Sequence, residues 1–241
     1  MKHFELVSFA TADELARTVA GKWLDEIEPA SRAGKSYCVA LSGGRIAQKL
    51  FTAIVEQAKP RAISFDRIHF FWADERFVPA NDKESNFRMA NELLFAPLRI
   101  PGSQIHRIHG DDPPDTAAAE AASELCRVAQ SNINGQPVLD LIFLGMGEDG
   151  HVASLFPGEN ESACSDNAIY RAVKNSPKPP PNRVTLGYAA LAAARQVWVL
   201  VSGAGKEAAL HESLRTNGCT PLARVAKFRT QTGIFSDFLP I

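Results

Sequence analysis

The sequence predicts an α/β protein built on a single doubly wound, mostly parallel sheet with helices on both faces. Three observations carry that expectation. Short apolar runs without polar alternation recur at Tyr37 to Leu41, Ile68 to Trp72, Leu139 to Leu144 and Gln196 to Val201, the pattern of strands buried on both faces. Helical patterns separate these runs, and strand–helix alternation is the mark of parallel crossover connections. Most of the runs lead into polar or glycine-rich segments, and ligands of open α/β sheets bind beyond the carboxyl ends of the strands.

Taken in order, Thr11-x-x-Glu14 has the form of a capping box, and Leu15, Val19, Trp23 and Ile27 follow at i, i+4 spacing, so the chain opens with an amphipathic helix. The run Tyr37 to Leu41 stops at Ser42-Gly43-Gly44, and a second helix with Ile46, Leu50 and Ile54 as its apolar stripe comes next. Ile68 to Trp72 leads into the polar Asp74-Glu75-Arg76, then a loop and a helix near Asn86 to Phe95. Pro113-Pro114 opens an alanine-rich helix that runs to Val128, because proline is at home in a first helical turn. The strand Leu139 to Leu144 follows, then Gln196 to Val201 and a helix from about Gly205 to Leu214. No Gly/Ser linker, repeat or low-complexity tract divides the chain, and the proline cluster Pro177 to Pro181 lies between elements that read as one sheet. One domain over residues 1–241 is expected.

Composition removes several classes of function. With 26 Lys+Arg against 27 Asp+Glu the formal charge is −1, so nothing global draws the protein to nucleic acid or anionic membrane, and a basic site must be local. The apolar runs are far shorter than the roughly 18 residues of a membrane span, and the N-terminus shows no export signal. A cytoplasmic protein is expected. Cys38, Cys126, Cys164 and Cys219 form no C-x-x-C pair, so reduced thiols are the default and a zinc ribbon is not. There is no G-x-S-x-G, H-E-x-x-H or EF-hand loop, which leaves serine hydrolase, zincin and calcium readings without support.

Four segments could carry chemistry. Ser42-Gly43-Gly44, between a buried strand and a helix, either makes a tight turn or offers backbone N–H groups to an anion. Asp74-Glu75-Arg76 displays three charges at a strand end, or is a solvated turn. Gly145-Met146-Gly147-Glu148-Asp149-Gly150-His151 matches G-x-G-x-x-G formally, but Phe156-Pro157-Gly158 stops any following helix too soon for a dinucleotide site. Its His151 can titrate near neutrality, and Asp149 can fix the tautomer, which makes them a candidate base and its orienter. His3, His69, His106, His109 and His211 take the plain reading of satisfied or surface histidines. Arg183, after the prolines, and Lys206, where a helix begins, are late basic positions; a cation there opposes the helix dipole, so a bound anion would explain it.

Together these segments resemble the 6-phosphogluconolactonase family. The resemblance rests on Leu41-Ser42-Gly43-Gly44, Trp72-x-Asp74-Glu75-Arg76-x-Val78-Pro79 with Ser85-Asn86, Gly145-x-Gly147-x-Asp149-Gly150-His151-x-Ala153-Ser154-Leu155-Phe156-Pro157-Gly158, Pro181-x-Arg183-x-Thr185 and Gly203-x-x-Lys206. The Ser-Leu-Phe-Pro-Gly ending and Arg76 resemble lactonases more than the related glucosamine-6-phosphate deaminases. The resemblance implies the fold of sugar-phosphate isomerases and deaminases, and hydrolysis of 6-phospho-D-glucono-1,5-lactone without metal or cofactor. It implies His151 as general base, Asp149 as its orienter, and Arg76 with Asp74 on the sugar and carbonyl side. Ser42, Gly43, Gly44, Asn86, Gly147, Arg183 and Lys206 would contact substrate, with the Ser42 loop, Arg183 and Lys206 on the 6-phosphate.

One departure stands out. The family commonly has Ser-Gly-Gly-Ser-Thr-Pro where this chain has Ser42-Gly43-Gly44-Arg45-Ile46-Ala47, so Arg45 is expected to replace lost hydroxyl contacts with a charge-assisted one, the alternatives being an Arg45 that points to solvent or a site that prefers another phosphorylated ligand. Competing expectations are an isomerase or deaminase in which Asp74 shuttles a proton, and a sugar-phosphate sensor without turnover. The partner is a small sugar phosphate, and a monomer or at most a weak dimer is expected.

Overall fold

A computed structural model describes residues 4–110, 112–159 and 166–238. The chain enters through a short strand β1 (Glu5–Ser8) and a long helix α1 (Ala12–Arg32). Thr11 caps that helix by accepting from the Glu14 amide at 3.1 Å, while the Glu14 carboxylate accepts from the Ala10 amide at 3.0 Å, one residue earlier than in the usual reciprocal box. The expected stripe of Leu15, Val19, Trp23 and Ile27 is fully buried. Trp23 sets its ring edge-on to Phe70 and Phe143 at 6.3 and 5.6 Å. Those rings belong to two strands of the sheet, so Trp23 fastens α1 to the sheet, and its removal to alanine would cost about 3–5 kcal/mol.

Next come β2 (Tyr37–Leu41), α2 (Arg45–Arg61), β3 (Ile68–Trp72) and β4 (Asp74–Arg76). A helix α3 (Asn86–Ala90) continues through a π-helical turn (Asn91–Phe95) into α4 (Ala96–Leu98). After a 3-10 turn (Gly102–Gln104), the chain bridges back to β3 through Ile105. Helix α5 (Pro114–Val128), a small hairpin β5 (Asn132–Ile133) and β6 (Gln136–Pro137), and strand β7 (Leu141–Gly145) lead to the second half. There β8 (Tyr170–Val173) and β9 (Arg183–Leu186) precede α6 (Tyr188–Ala193), β10 (Gln196–Val201), α7 (Glu207–Ser213), α8 (Pro221–Lys227) and β11 (Gly233–Ser236).

The central sheet has six strands in the order β1-β11-β10-β7-β2-β3, with every neighbouring pair parallel. From β2 the chain first moves outward to β3, then returns to place β7 on the opposite side of β2. That reversal between β2 and β7 opens a crevice at their carboxyl ends, where a sheet of this kind holds its ligand.

Three details differ from the sequence reading. Asp74-Glu75-Arg76 is neither a turn nor a loop but β4, which pairs antiparallel with β9, and β9 with β8. This second sheet of three strands comprises elements of only three or four residues, too short for a periodic signal. The proline cluster therefore lies between strands of this antiparallel sheet, not of the central one. Strand β7 begins at Leu141, after Leu139 and Asp140, because Asp140 is used sideways: its amide donates to the Cys38 carbonyl and its carboxylate accepts from the Cys38 amide, at 2.9 and 2.8 Å. Among the described cysteines Cys38, Cys126 and Cys219 are free, and Cys164 lies outside the described residues.

Candidate active site

Three loops at the carboxyl ends of central strands meet β4, α3 and β9 in one cleft of about 140 Å³. Its walls include Ser42, Gly43, Gly44 and Arg45 after β2, Asp74 and Arg76 from β4, Asn86 from α3, Gly147 and His151 after β7, Arg183 from β9 and Lys206 after β10. Every residue expected to act on substrate is there except Asp149, which stands behind His151.

Close approach of backbone explains two of the glycines. A Cβ on Gly43 would lie 1.9 Å from Oδ1 of Asn86, and a Cβ on Gly147 would lie 2.0 Å from Nδ1 and Cε1 of His151. The amide of Asn86 and the ring of His151 therefore rest directly on bare α-carbons. Asn86 is itself fixed, donating through Nδ2 to the Asp74 carbonyl at 2.9 Å. The imidazole is fixed from the other side, where its Nδ1 donates to Oδ1 of Asp149 at 2.5 Å. The same oxygen accepts from the His151 amide at 3.2 Å. This leaves Nε2 as the ring's lone-pair nitrogen, and the ring packs on Phe156 at 4.9 Å.

Burial holds the His151 imidazole below its ordinary range, although Asp149 pulls the other way. Burial alone would raise the Asp149 carboxyl, but the hydrogen bond and charge of His151 bring it below the usual value. The pair is thus poised with the carboxylate charged and the ring neutral at neutral pH, the form that accepts a proton.

The opposite end of the cleft is built for an anion. Helix α2 starts with no side-chain cap and no acid in its first turn, so its free N–H groups are open to a ligand. The Ser42 hydroxyl is buried without a hydrogen-bond partner. Arg45 extends from that turn toward Gly203, and Lys206 lies near enough for the two cations to repel. Burial first, then Arg45, holds the Lys206 ammonium below its ordinary value, while Asp237 and Glu148 oppose that shift without forming an ion pair. Among the described residues neither the Arg45 guanidinium nor the Lys206 ammonium has a hydrogen-bond or ion-pair partner. Two unpaired cations, an orphan hydroxyl and a helix N-terminus converge, and negative charge would relieve all of them.

The charged triplet divides its work. Glu75 turns away from the cleft and accepts from the Asn86 and Phe87 amides at 2.8 and 2.7 Å, capping α3. Burial pushes its carboxyl up to about 7, against those N–H groups. Asp74 is buried, accepts from the Ser154 hydroxyl at 2.7 Å and lies 4.0 Å from Nη1 of Arg183. Arg76 donates to the Glu84 carbonyl at 2.9 Å, and its Nε is buried without a partner. Arg183 is largely committed: its guanidinium donates to the carbonyls of Lys178, Pro179 and Pro180 at 3.1, 3.0 and 3.2 Å and to the Ser154 hydroxyl at 3.3 Å.

The sequence reading passed over Ser154, whose hydroxyl joins Asp74 to Arg183, and Lys178, whose ammonium stands 3.7 Å from Asp149. Ser154 lay inside a motif already singled out; Lys178 had no local signal. A larger cavity of about 860 Å³, sharing no lining residue with the cleft, includes Phe71, Tyr170, His106 and Glu124. Its size does not make it the better candidate, because His106, Glu124 and Arg127 there satisfy one another. Among the described residues no group of three His, Cys, Asp or Glu is arranged to hold a metal, and no helix is long and apolar enough to cross a membrane.

Fold and cleft define a class: an open parallel α/β protein whose switch-point cleft combines groups suited to a small anion with a carboxylate-oriented histidine. Comparison with known proteins narrows this. Residues 10–234 match the family model of glucosamine-6-phosphate isomerases/6-phosphogluconolactonase, and the chain belongs to that family. It is 36% identical over 216 residues to a protein of rice (Oryza sativa) named probable 6-phosphogluconolactonase 3, chloroplastic, covering 84% of this chain and 64% of the relative's length. A 6-phosphogluconolactonase of Mycobacterium tuberculosis is 34% identical over 220 residues, covering 89% of this chain and 87% of that one. The crystal structure of 6-phosphogluconolactonase from Thermotoga maritima superposes with a TM-score of 0.78 at 30% identity, covering 97% of this chain and 98% of that one.

Proposed function

We propose that this protein, acting as one unit in the cytoplasm, hydrolyses 6-phospho-D-glucono-1,5-lactone to 6-phospho-D-gluconate, the lactone-opening step of the oxidative pentose phosphate pathway. The observation that carries the reading is the meeting, in one cleft, of a carboxylate-oriented His151 with the unpaired cations Arg45 and Lys206. Family membership and the names of the relatives support the choice of substrate.

The phosphate sits against the Ser42–Gly44 loop, Arg45 and Lys206, which holds the lactone ring toward His151. Water attacks the C1 carbonyl as Nε2 takes its proton, and Asp149 stabilises the imidazolium that forms. Arg76 supplies positive charge beside the oxygen on which negative charge develops. When the tetrahedral intermediate collapses, the C1–O5 bond breaks, O5 takes the proton from the imidazolium, and the new carboxylic acid ionises. Asp74 and Ser154 hold Arg183, whose charge adds to the field of the cleft more than its committed donors add direct contacts.

The test is hydrolysis of freshly generated lactone, corrected for spontaneous opening, by wild type beside His151→Ala, with unphosphorylated gluconolactone as control. Activity on the phosphorylated lactone that is lost in the variant supports the reading. Equal rates for wild type, variant and buffer would turn the assignment toward a sugar-phosphate sensor. Ammonia release from glucosamine 6-phosphate would turn it toward a deaminase.

A further inference from the structure

The segment Pro177 to Pro181 comes into the site from a different sheet, and its placement is tightly determined. The buried Arg183 guanidinium holds the carbonyls of Lys178, Pro179 and Pro180 at 3.0–3.2 Å, and the Lys178 carbonyl and amide also bond the Ser176 hydroxyl at 2.9 and 3.2 Å. Arg183 is anchored in turn by Ser154 and Asp74 and lies over the Phe156 ring on which His151 packs. The backbone at Lys178 is thus braced against the same groups that frame the imidazole.

From that backbone the Lys178 ammonium reaches to 3.7 Å from Oδ1 of Asp149. This is the very oxygen that accepts both Nδ1 and the amide of His151. At that distance the lysine is an ion-pair partner of Asp149 and not a hydrogen-bond donor to it, and it places a positive charge beside a ring that must stay uncharged to accept a proton.

We propose that Lys178, braced by Arg183, is a positioning residue for the His151–Asp149 pair, setting its positive charge beside the Asp149 oxygen and keeping the imidazole in its neutral, proton-accepting form. The inference rests on the proposed role of His151 as base. Charged groups facing that ring are Asp149 from its own loop, Asp74 from β4, Arg183 from β9 and Lys178 from the proline segment, with Arg76, Arg45 and Lys206 across the cleft. Asp149 and Asp74 favour the imidazolium, and Lys178 opposes it.

The experiment follows the His151 ring by NMR across pH in the ligand-free protein, in wild type, Lys178→Met and Lys178→Arg, beside pH profiles of kcat/KM on the lactone. In Lys178→Met the titration of His151 is expected to move upward by about half a pH unit, equivalent to a roughly threefold loss of kcat/KM on the acid side that shrinks as pH rises. Lys178→Arg restores the wild-type titration. An unmoved His151 titration in Lys178→Met overturns the inference, and so does a KM raised equally at every pH with the titration unmoved, which would make Lys178 a substrate contact. If the titration moves but no variant or wild type opens the lactone, the positioning role stands and the functional reading falls.

Discussion

Among the described residues two histidines bond a carboxylate through Nδ1, and one of the two faces the candidate site. His151 meets Asp149 at 2.5 Å and His106 meets Glu124 at 2.7 Å. Burial lowers both imidazoles from their ordinary range. The difference lies at the other ring nitrogen. Nε2 of His106 is taken by Nδ1 of His69 at 3.0 Å, its ring is stacked on Phe71 at 4.5 Å, and Arg127 binds Glu124 with two donors and holds that carboxyl down to about 2. Every valence is spent on tying β3, the Ile105–His106 bridge and α5 together. Nε2 of His151 instead faces a cleft where, among the described residues, the Arg45 guanidinium, the Lys206 ammonium and the Ser42 hydroxyl also lack partners. A histidine–carboxylate pair is therefore not a site in itself; the unsatisfied groups around it are what a ligand completes.

The sharpest way to break the comparison is to remove each imidazole. His151→Ala is expected to lower kcat by about 10²- to 10⁴-fold. His106→Ala should leave kcat on the lactone within about twofold and lower the melting temperature instead; a comparable kcat loss in both variants would erase the distinction.

A smaller effect tests whether the ring's exact seat matters. Gly147→Ala places a methyl group 2.0 Å from the ring atoms, so the imidazole must shift, and a displacement of about 1 Å can cost on the order of 10² in rate. Wild-type turnover in Gly147→Ala would mean the ring has room the geometry denies.

Smaller again is the effect of one cation. Arg45→Ala should raise KM for the phosphorylated lactone by about tenfold, the worth of one charge-assisted contact, and leave the unphosphorylated lactone unaffected. An unchanged KM would place Arg45 outside the phosphate site.

The mildest test is in the other region and concerns stability against pH. His106 has a folded-state pKa below its ordinary value of 6.5 because burial disfavours the charged ring. The unfolded chain therefore binds the proton more readily, and stability falls as pH drops from about 6.5 toward and below the folded value. Chemical denaturation from pH 7 to 5 should show a shallower decline in His106→Asn than in wild type. Parallel declines would exclude His106 as the titrating group.

The features legible in the chain alone are local. Four of the central strands announced themselves because parallel strands covered on both faces are continuous apolar runs, and α1 because its stripe repeats at the helical period. Asp149 and His151 are two residues apart on one turn, so their pairing was legible in the chain, whereas the seating of the ring on Gly147 was not. The tertiary structure alone decided the rest. Strands β4, β8 and β9 are too short to carry a period, and β1 and β11 take their places in the sheet only because β10 gives β11 a neighbour to pair with. The order that sets β2 beside β7, the convergence of Arg45 with Lys206, the commitment of Arg183 to the proline segment and the approach of Lys178 to Asp149 all join residues far apart in the chain. Periodicity and propensity report what a residue does with its near neighbours; which distant partners satisfy its charge and hydrogen bonds is settled only when the core packs and brings them within reach.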